Sequence, residues 1–310
     1  MNRYVWQDLF EYGQHLGYYY KKGSVTNLQK IWHIILAHSN IRKIVINFQD
    51  RLPNMKSDEK RVQVILLRLG MRGDTLIQRL QAIKEQTFND KKQLTAANPG
   101  WNPQKDARLL SLGKFINVCE RTQFGLHILG SMLDDNWYQS NMENETHQDP
   151  VYKMILTVEF EKSLKYGFGM SLFTVIESSF RIFLRSVDPT ACQGATTAFD
   201  SIHKCLLGSK QLNFPAFDRQ AADELLEIVR LIRNLIHNDG VYFDEYGSDK
   251  TVTYRGDQYQ FYHSKPVDFV YWKLLLTLAD DIRRLLTQVI SHPRIVKQIQ
   301  VTDPFMAYYT

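Results

Sequence analysis

The sequence predicts a mainly α fold: a C-terminal antiparallel helical bundle with a small β-hairpin insertion, preceded by a mostly helical N-terminal domain. Three observations predict it. Apolar residues recur at helical spacing through most of the 310 residues. The interruptions fall at Gly, Pro, Asn and Asp, the residues that stop helices or make turns. Alternating β-branched and aromatic residues are concentrated in one stretch, residues 241–262.

In chain order, residues 3–52 hold two apolar periodic stretches separated by Tyr18-Tyr19-Tyr20-Lys21-Lys22-Gly23, and Ile44-Val45-Ile46 would suit a strand as well as a helix. Pro53 ends the second stretch, and Ser57-Asp58-Glu59 starts a new helix with a cap and an acidic first turn. That helix is expected to reach about Asp90, with an interruption near Gly70 and Gly73. Residues 95–105 form a loop, and Asp106 opens a helix to about Leu133. Residues 134–150 are polar and acidic, and they separate a basic domain, 1–133, from the bundle domain, 151–310.

The bundle opens at Asp149-Pro150, a cap followed by a first-turn proline. Its first helix is expected to bend at Gly167-Phe168-Gly169, and Met170 to Val187 then continues with Phe173, Ile176, Phe180 and Leu184 on one face. A short helix over 195–207 follows, then a loop, then a helix capped by Asp218 that ends at His237. Val241-Tyr242-Phe243 and Thr251-Val252-Thr253-Tyr254 are expected to pair across a turn at 245–250, with a further strand near 258–262. Pro266 to Ile290 forms the last long helix, closed by Pro293.

Charge is unevenly placed along a chain of net charge +5. Residues 1–133 hold 20 Lys and Arg against 10 Asp and Glu, whereas 151–310 hold 18 of each. A basic N-terminal part attracts phosphate backbones without sequence preference, or is a solvated surface. If the helix from Ser57 runs through its glycines, Arg61, Arg68, Arg72 and Arg79 share one face, and Arg68 and Arg72 become candidate substrate-binding residues. The three cysteines, Cys119, Cys192 and Cys205, make no CxxC pair, which fits a reducing compartment. No signal-peptide pattern and no run of membrane-spanning length is evident, so a cytoplasmic protein without membrane contact is expected. The nine histidines form no HxH or HExxH spacing, and neither a Walker nor a dinucleotide motif is present, so no metal or cofactor is expected.

Polar chemistry is concentrated in residues 225–242. Arg230, Arg233, Asn234 and His237 sit at i, i+3, i+4 and i+7, within an arc of about 100° on a helix. Leu225, Ile228, Val229, Leu231, Ile232, Leu235 and Ile236 fill the opposite side, and Leu226 is the exception. Asn238-Asp239-Gly240 stops the helix with His237 in its last turn.

These residues resemble the motif of the HEPN superfamily (higher eukaryotes and prokaryotes nucleotide-binding), an Arg and a His separated by four to six residues, often with Asn after the Arg. Six residues separate Arg230 from His237; Arg233-Asn234 supplies the Arg-Asn pair, three residues before His237. Asp239 stands where the toxin branch carries a Tyr. The resemblance covers residues 151–292, and the helix with Glu177 and Arg181 is similar to the first HEPN helix, whose acidic and basic residues face the site. It implies a metal-independent endoribonuclease, a toxin or antiviral effector. RNA would be its substrate, and a homodimer or higher oligomer would build a composite site under the control of a cognate regulatory protein. His237 would be the acid/base, Arg230 or Arg233 the phosphate holder, Asn234 the orienting group, and Glu177 with Arg181 substrate-facing. The same residues equally suit a non-catalytic interaction module, or an RNA-binding protein that works through its N-terminal half.

Overall fold

The computed structural model describes residues 57–141, 150–191 and 198–303. The expectations for residues 3–52, the Tyr18–Lys22 segment among them, lie outside the described residues. The fold is mainly helical with a small antiparallel β excursion near the C-terminal end. The helices are α1 (Ser57–Ala97), α2 (Ala107–Met132), α3 (Asp135–Asn141), α4 (Pro150–Val187), α5 (Phe199–Leu207), α6 (Ala216–His237), α7 (Trp272–Ser291) and α8 (Pro293–Val296). The strands are β1 (Val241–Tyr242), β2 (Lys250–Tyr254), β3 (Asp257–Phe261) and β4 (Lys265–Pro266).

Two helices are longer than their glycines suggested. α1 runs unbroken past Gly70 and Gly73, and α4 past Gly167 and Gly169. An interior glycine costs a helix only about 1 kcal/mol relative to alanine, which flanking helix formers offset. Gly169 has a packing role. A Cβ there would lie 3.1 Å from Ile236 Cδ1 and 3.5 Å from Leu275 Cδ2, so glycine lets α4 approach α6 and α7 closely. The expected bend is instead a close crossing.

By length and composition Lys153–Val187 could cross a bilayer, contrary to the expectation that no segment approached that length. In the structure 61% of its most apolar window is buried, which suits the central helix of a packed protein.

The described residues divide into two compact units, those within 57–76 and 126–161 and those within 77–125 and 162–303. The division interleaves, where a single boundary at 134–150 was expected. Part of that connector is helical, because α3 is capped by Asp134, whose Oδ1 accepts the Trp137 amide at 2.9 Å, and it buries Tyr138. In the first unit the buried Lys153 ammonium donates to the Leu133 carbonyl at 3.3 Å and sits 5.0 Å over the Tyr138 ring.

In the second unit the hydrophobic core is built from α7, whose Trp272, Leu274, Leu275, Leu276, Leu278, Ala279 and Ile282 are all buried. α4 meets it through Phe168 and Trp272, with ring centroids 5.9 Å apart. α6 contributes Leu225, Leu226, Ile228, Val229, Leu231, Ile232 and Leu235. Asp218 lies in the first turn of α6 instead of capping it, because the helix starts earlier, after Pro215.

The β pairing differs from the expectation. β2 pairs with β3 through Arg255-Gly256, whose φ values of 53° and 84° suit a tight two-residue hairpin turn. β1 pairs instead with β4, Val241 opposite Pro266. Residues 265–266 are thereby drawn into the ladder, and α7 starts at Trp272 instead of Pro266.

The segment after α7 is tied to α2 by Arg108, which is 0% exposed. Its guanidinium donates to both Asp106 oxygens at 2.8 and 2.5 Å and to the Ile295 and Gln298 carbonyls, each at 2.9 Å. It lies 3.8 Å over the Trp101 ring. Asp106 also caps α2 by accepting the Arg108 amide at 3.0 Å. Removing one partner of such a buried pair leaves an uncompensated charge, at a cost of roughly 3–5 kcal/mol. Arg108→Ala should therefore lower the urea midpoint by that equivalent, and a midpoint unchanged from wild type would show that the knot contributes nothing.

Candidate functional site

α6 places its polar residues on one face, but the tertiary structure engages them differently. β2 packs against α6, and its Lys250 reaches Glu227 there. The Arg230 guanidinium donates to Glu227, Nε to Oε2 at 3.1 Å and Nη2 to Oε1 at 2.9 Å. Lys250 of β2 also pairs with Glu227 Oε1. Burial alone would raise the Glu227 carboxyl, but the Lys250 hydrogen bond and the Arg230 charge outweigh it and hold the group below the usual carboxylate value. Leu226, the apolar exception on this side, is 0% exposed. The stripe is therefore a set of separately engaged groups and not a continuous open ridge.

Arg233 turns toward α4. Its guanidinium carbon lies 5.5 Å from the Phe173 ring centroid, and Nη1 donates to Asn234 Oδ1 at 3.0 Å. Its buried Nε has no hydrogen-bond partner among the described residues. The carbonyl of Asn234 accepts the Asn238 side-chain amide at 3.0 Å. His237 is exposed and makes no hydrogen bond or ion pair with the described residues.

The helix stops as the sequence suggests. The Gly240 amide donates to the Leu235 carbonyl at 2.9 Å, and Asp239 and Gly240 take φ values of 51° and 88°. Position 240 requires glycine twice over, since a Cβ there would also lie 2.8 Å from the Tyr166 hydroxyl.

Glu177 and Arg181 pair with each other, Nη2 to Oε1 at 2.7 Å, and no hydrogen bond or ion pair joins Glu177 to Arg230, Arg233 or His237. Arg68 and Arg72 lie in the helical first part of α1, so the shared face of the four arginines is continuous along the backbone, but their side chains lie outside the described residues. Arg79, on the same face, is exposed.

Two groups of residues had no signal in the sequence. The first is a cleft of about 590 Å³ where α5 and α6 meet β2, lined by Asp200, His203, Asp223, Glu227, Arg230 and Lys250 among others. His203 is 1% exposed. Its Nε2 lies 3.4 Å from Asp223 Oδ1 and 3.9 Å from Asp200 Oδ1. Burial lowers its pKa below the ordinary value, outweighing the two carboxylates. The second group is Lys162 and Tyr166 of α4. Lys162 Nζ lies 3.1 Å from Asp239 Oδ1 and 5.5 Å from the Tyr166 ring centroid. Only the docking of α4 on α6 brings these residues beside the motif, because 77 positions separate Lys162 from Asp239.

Among the described residues no three His, Cys, Asp or Glu side chains are arranged to hold a metal ion. Burial pushes the Cys119 thiol up to about 12, which leaves it a poor nucleophile. Comparison with protein-family models, with curated proteins and with solved structures finds no match to this chain.

His203 generates a pH prediction. Its pKa is lower folded than unfolded, so the unfolded chain binds the proton more readily. Stability should fall as pH drops below the ordinary histidine value of about 6.5, by at most about 1.4 kcal/mol per pH unit from one group. His203→Gln should flatten the dependence of the urea midpoint on pH below about 6.5; an identical slope in the variant would assign the effect to other groups.

Proposed function

We propose that this protein is a metal-independent endoribonuclease of HEPN type whose working set is Arg233, Asn234 and His237. The observation that carries this reading is His237: an exposed imidazole in the last turn of α6, without a partner among the described residues. It stands one helical turn from an arginine held by Asn234. In RNA cleavage without a metal, the 2′-hydroxyl must lose a proton, the phosphate must be held, and the departing 5′-oxygen must gain a proton. An imidazole performs either transfer near neutral pH, and a guanidinium stabilises the charge that develops on the phosphate. Arg230 is a poor choice for the phosphate because Glu227 already satisfies its guanidinium. One imidazole supplies one proton-transfer group, so this reading includes pairing with a second copy that brings another His237. A role as a toxin or antiviral effector held by a regulatory protein belongs to the same proposal.

A second reading, a non-catalytic interaction module, is favoured by the engagement of both arginines, Arg230 with Glu227 and Arg233 over Phe173. The two readings separate on one substitution. An exposed side chain away from the core changes stability by no more than about 0.5 kcal/mol, so His237→Ala should melt close to wild type. Under the nuclease reading it should lose roughly 100-fold or more in RNA cleavage, measured in EDTA. Cleavage that needs added metal, or that survives undiminished in the variant, would remove His237 from the chemistry. Arg230→Gln should cleave nearly as well as wild type.

A further inference from the structure

We propose that the free edge of β2 binds an extended peptide of another protein as an added antiparallel strand, and that the cleft beside it takes one basic side chain of that peptide. The inference stands apart from the ribonuclease reading and does not use His237. The cleft of about 590 Å³ lies wholly within the second unit, lined by α5, α6 and β2 and by no residue of β3. β2 and β3 form a two-stranded ladder, so the cleft runs along the edge of β2 that β3 leaves open.

The hairpin register identifies the unpaired groups on that edge. A two-residue turn is flanked by a hydrogen-bonded pair, here Tyr254 and Asp257. Such pairs alternate along an antiparallel ladder. Val252 with Tyr259 is therefore hydrogen-bonded too, and Thr251 and Thr253 turn their amides and carbonyls outward. Neither backbone bonds to anything else among the described residues. A row of this kind is a template for one more strand. The side chains of Thr251 and Thr253 are exposed, whereas Val252 is buried on the face that packs on α6. A peptide residue opposite Val252 shares its face, so its side chain enters the cleft beside α6.

The charges in the cleft favour a cation there. Glu227 is taken by Arg230 and Lys250, and Asp200 by Lys204 at 2.8 Å. Asp223 has no such partner. Its Oδ1 is buried and accepts no hydrogen bond among the described residues, and Arg219 comes only to 4.0 Å from its other oxygen. The neighbour of Oδ1 is His203 Nε2 at 3.4 Å, on a side chain only 2% exposed. Burial keeps that imidazole neutral at pH 7, so it offers the carboxylate no charge. Its Nδ1 is also buried without a hydrogen bond of good geometry, with the Phe199 carbonyl one turn back. Buried polar atoms left in this way are rare, and a guest guanidinium or ammonium would give Asp223 Oδ1 the charged donor it lacks. A nucleic-acid backbone would meet carboxylates here and is disfavoured.

The test is fluorescence anisotropy of a labelled heptapeptide, Thr-Val-Thr-Arg-Thr-Val-Thr, with the full chain, and of versions with Lys, Gln or Glu at the centre. The Arg and Lys peptides should bind, the Gln peptide about 10-fold more weakly and the Glu peptide not measurably. Methylating the two amide nitrogens beside the arginine should abolish binding, because those residues face Thr251 and Thr253; methylating the arginine's own amide should leave it. This arm uses the unaltered protein, so misfolding cannot imitate it. Asp223→Asn should erase the preference for Arg over Gln. Thr251→Pro keeps the ladder to β3, since this amide points outward, and should bind none of the peptides. Equal binding of the Arg, Gln and Glu peptides, an equal effect of the two methylation patterns, or no binding at millimolar peptide overturns the inference. Self-association of the chain that Thr251→Pro abolishes would give the edge to a second copy and overturns it as well.

Discussion

A fully buried guanidinium is costly unless every side of it is satisfied, and the second unit is arranged around one. Arg108 has Asp106 on one edge, peptide carbonyls after α7 on another and the Trp101 ring on its face. The same junction is strengthened by the Ala107 amide on the Val301 carbonyl at 2.7 Å and by Lys114 on Asp303 at 2.5 Å. A second buried pair, Arg283 with Asp90 at 2.5 Å, joins α7 to α1. With α7 held on both sides, the surface that α4 and α6 pack against is set. The polar groups of the candidate site take their positions from that packing.

The consequence for chemistry is a division of labour along one helix. The first part of the α6 stripe is engaged: Glu227 is shared by Arg230 and Lys250, and the buried His203 of α5 lies against Asp200 and Asp223 nearby. The last part stays open. There the imidazole of His237 is exposed, in the turn before Asp239, which pairs with Lys162, and one turn after Arg233. Charge density alone would have favoured the Arg230 region. Once partners are counted, the group of the stripe left without one among the described residues is His237 at the helix end.

Much of the fold was legible in the sequence because helices follow local rules. The apolar spacing of residues 225–237, the stop at Asn238-Asp239-Gly240 and the Asp106 start all appear where their chemistry places them. What was illegible involved competition. Gly167 and Gly169 carry the signature of a bend, yet the space that Gly169 leaves is filled by Ile236 and Leu275 of neighbouring helices. Residues 241–243 and 251–254 are equally good strand formers, and nothing local says that the Arg255-Gly256 turn would take β3 as partner of β2 and leave β1 to β4.

The sequence by itself determined that a helix would carry Arg230, Arg233, Asn234 and His237 on one side and end just beyond them, because a 3.6-residue period and a left-handed glycine are properties of the local chain. Only the tertiary structure decided which of these side chains remain available. Glu227 and Lys250 engage Arg230, Phe173 lies under Arg233, and Lys162 arrives from a helix 77 positions away. Which distant faces meet depends on how the buried surfaces dock, and a periodic pattern within one segment carries no record of that.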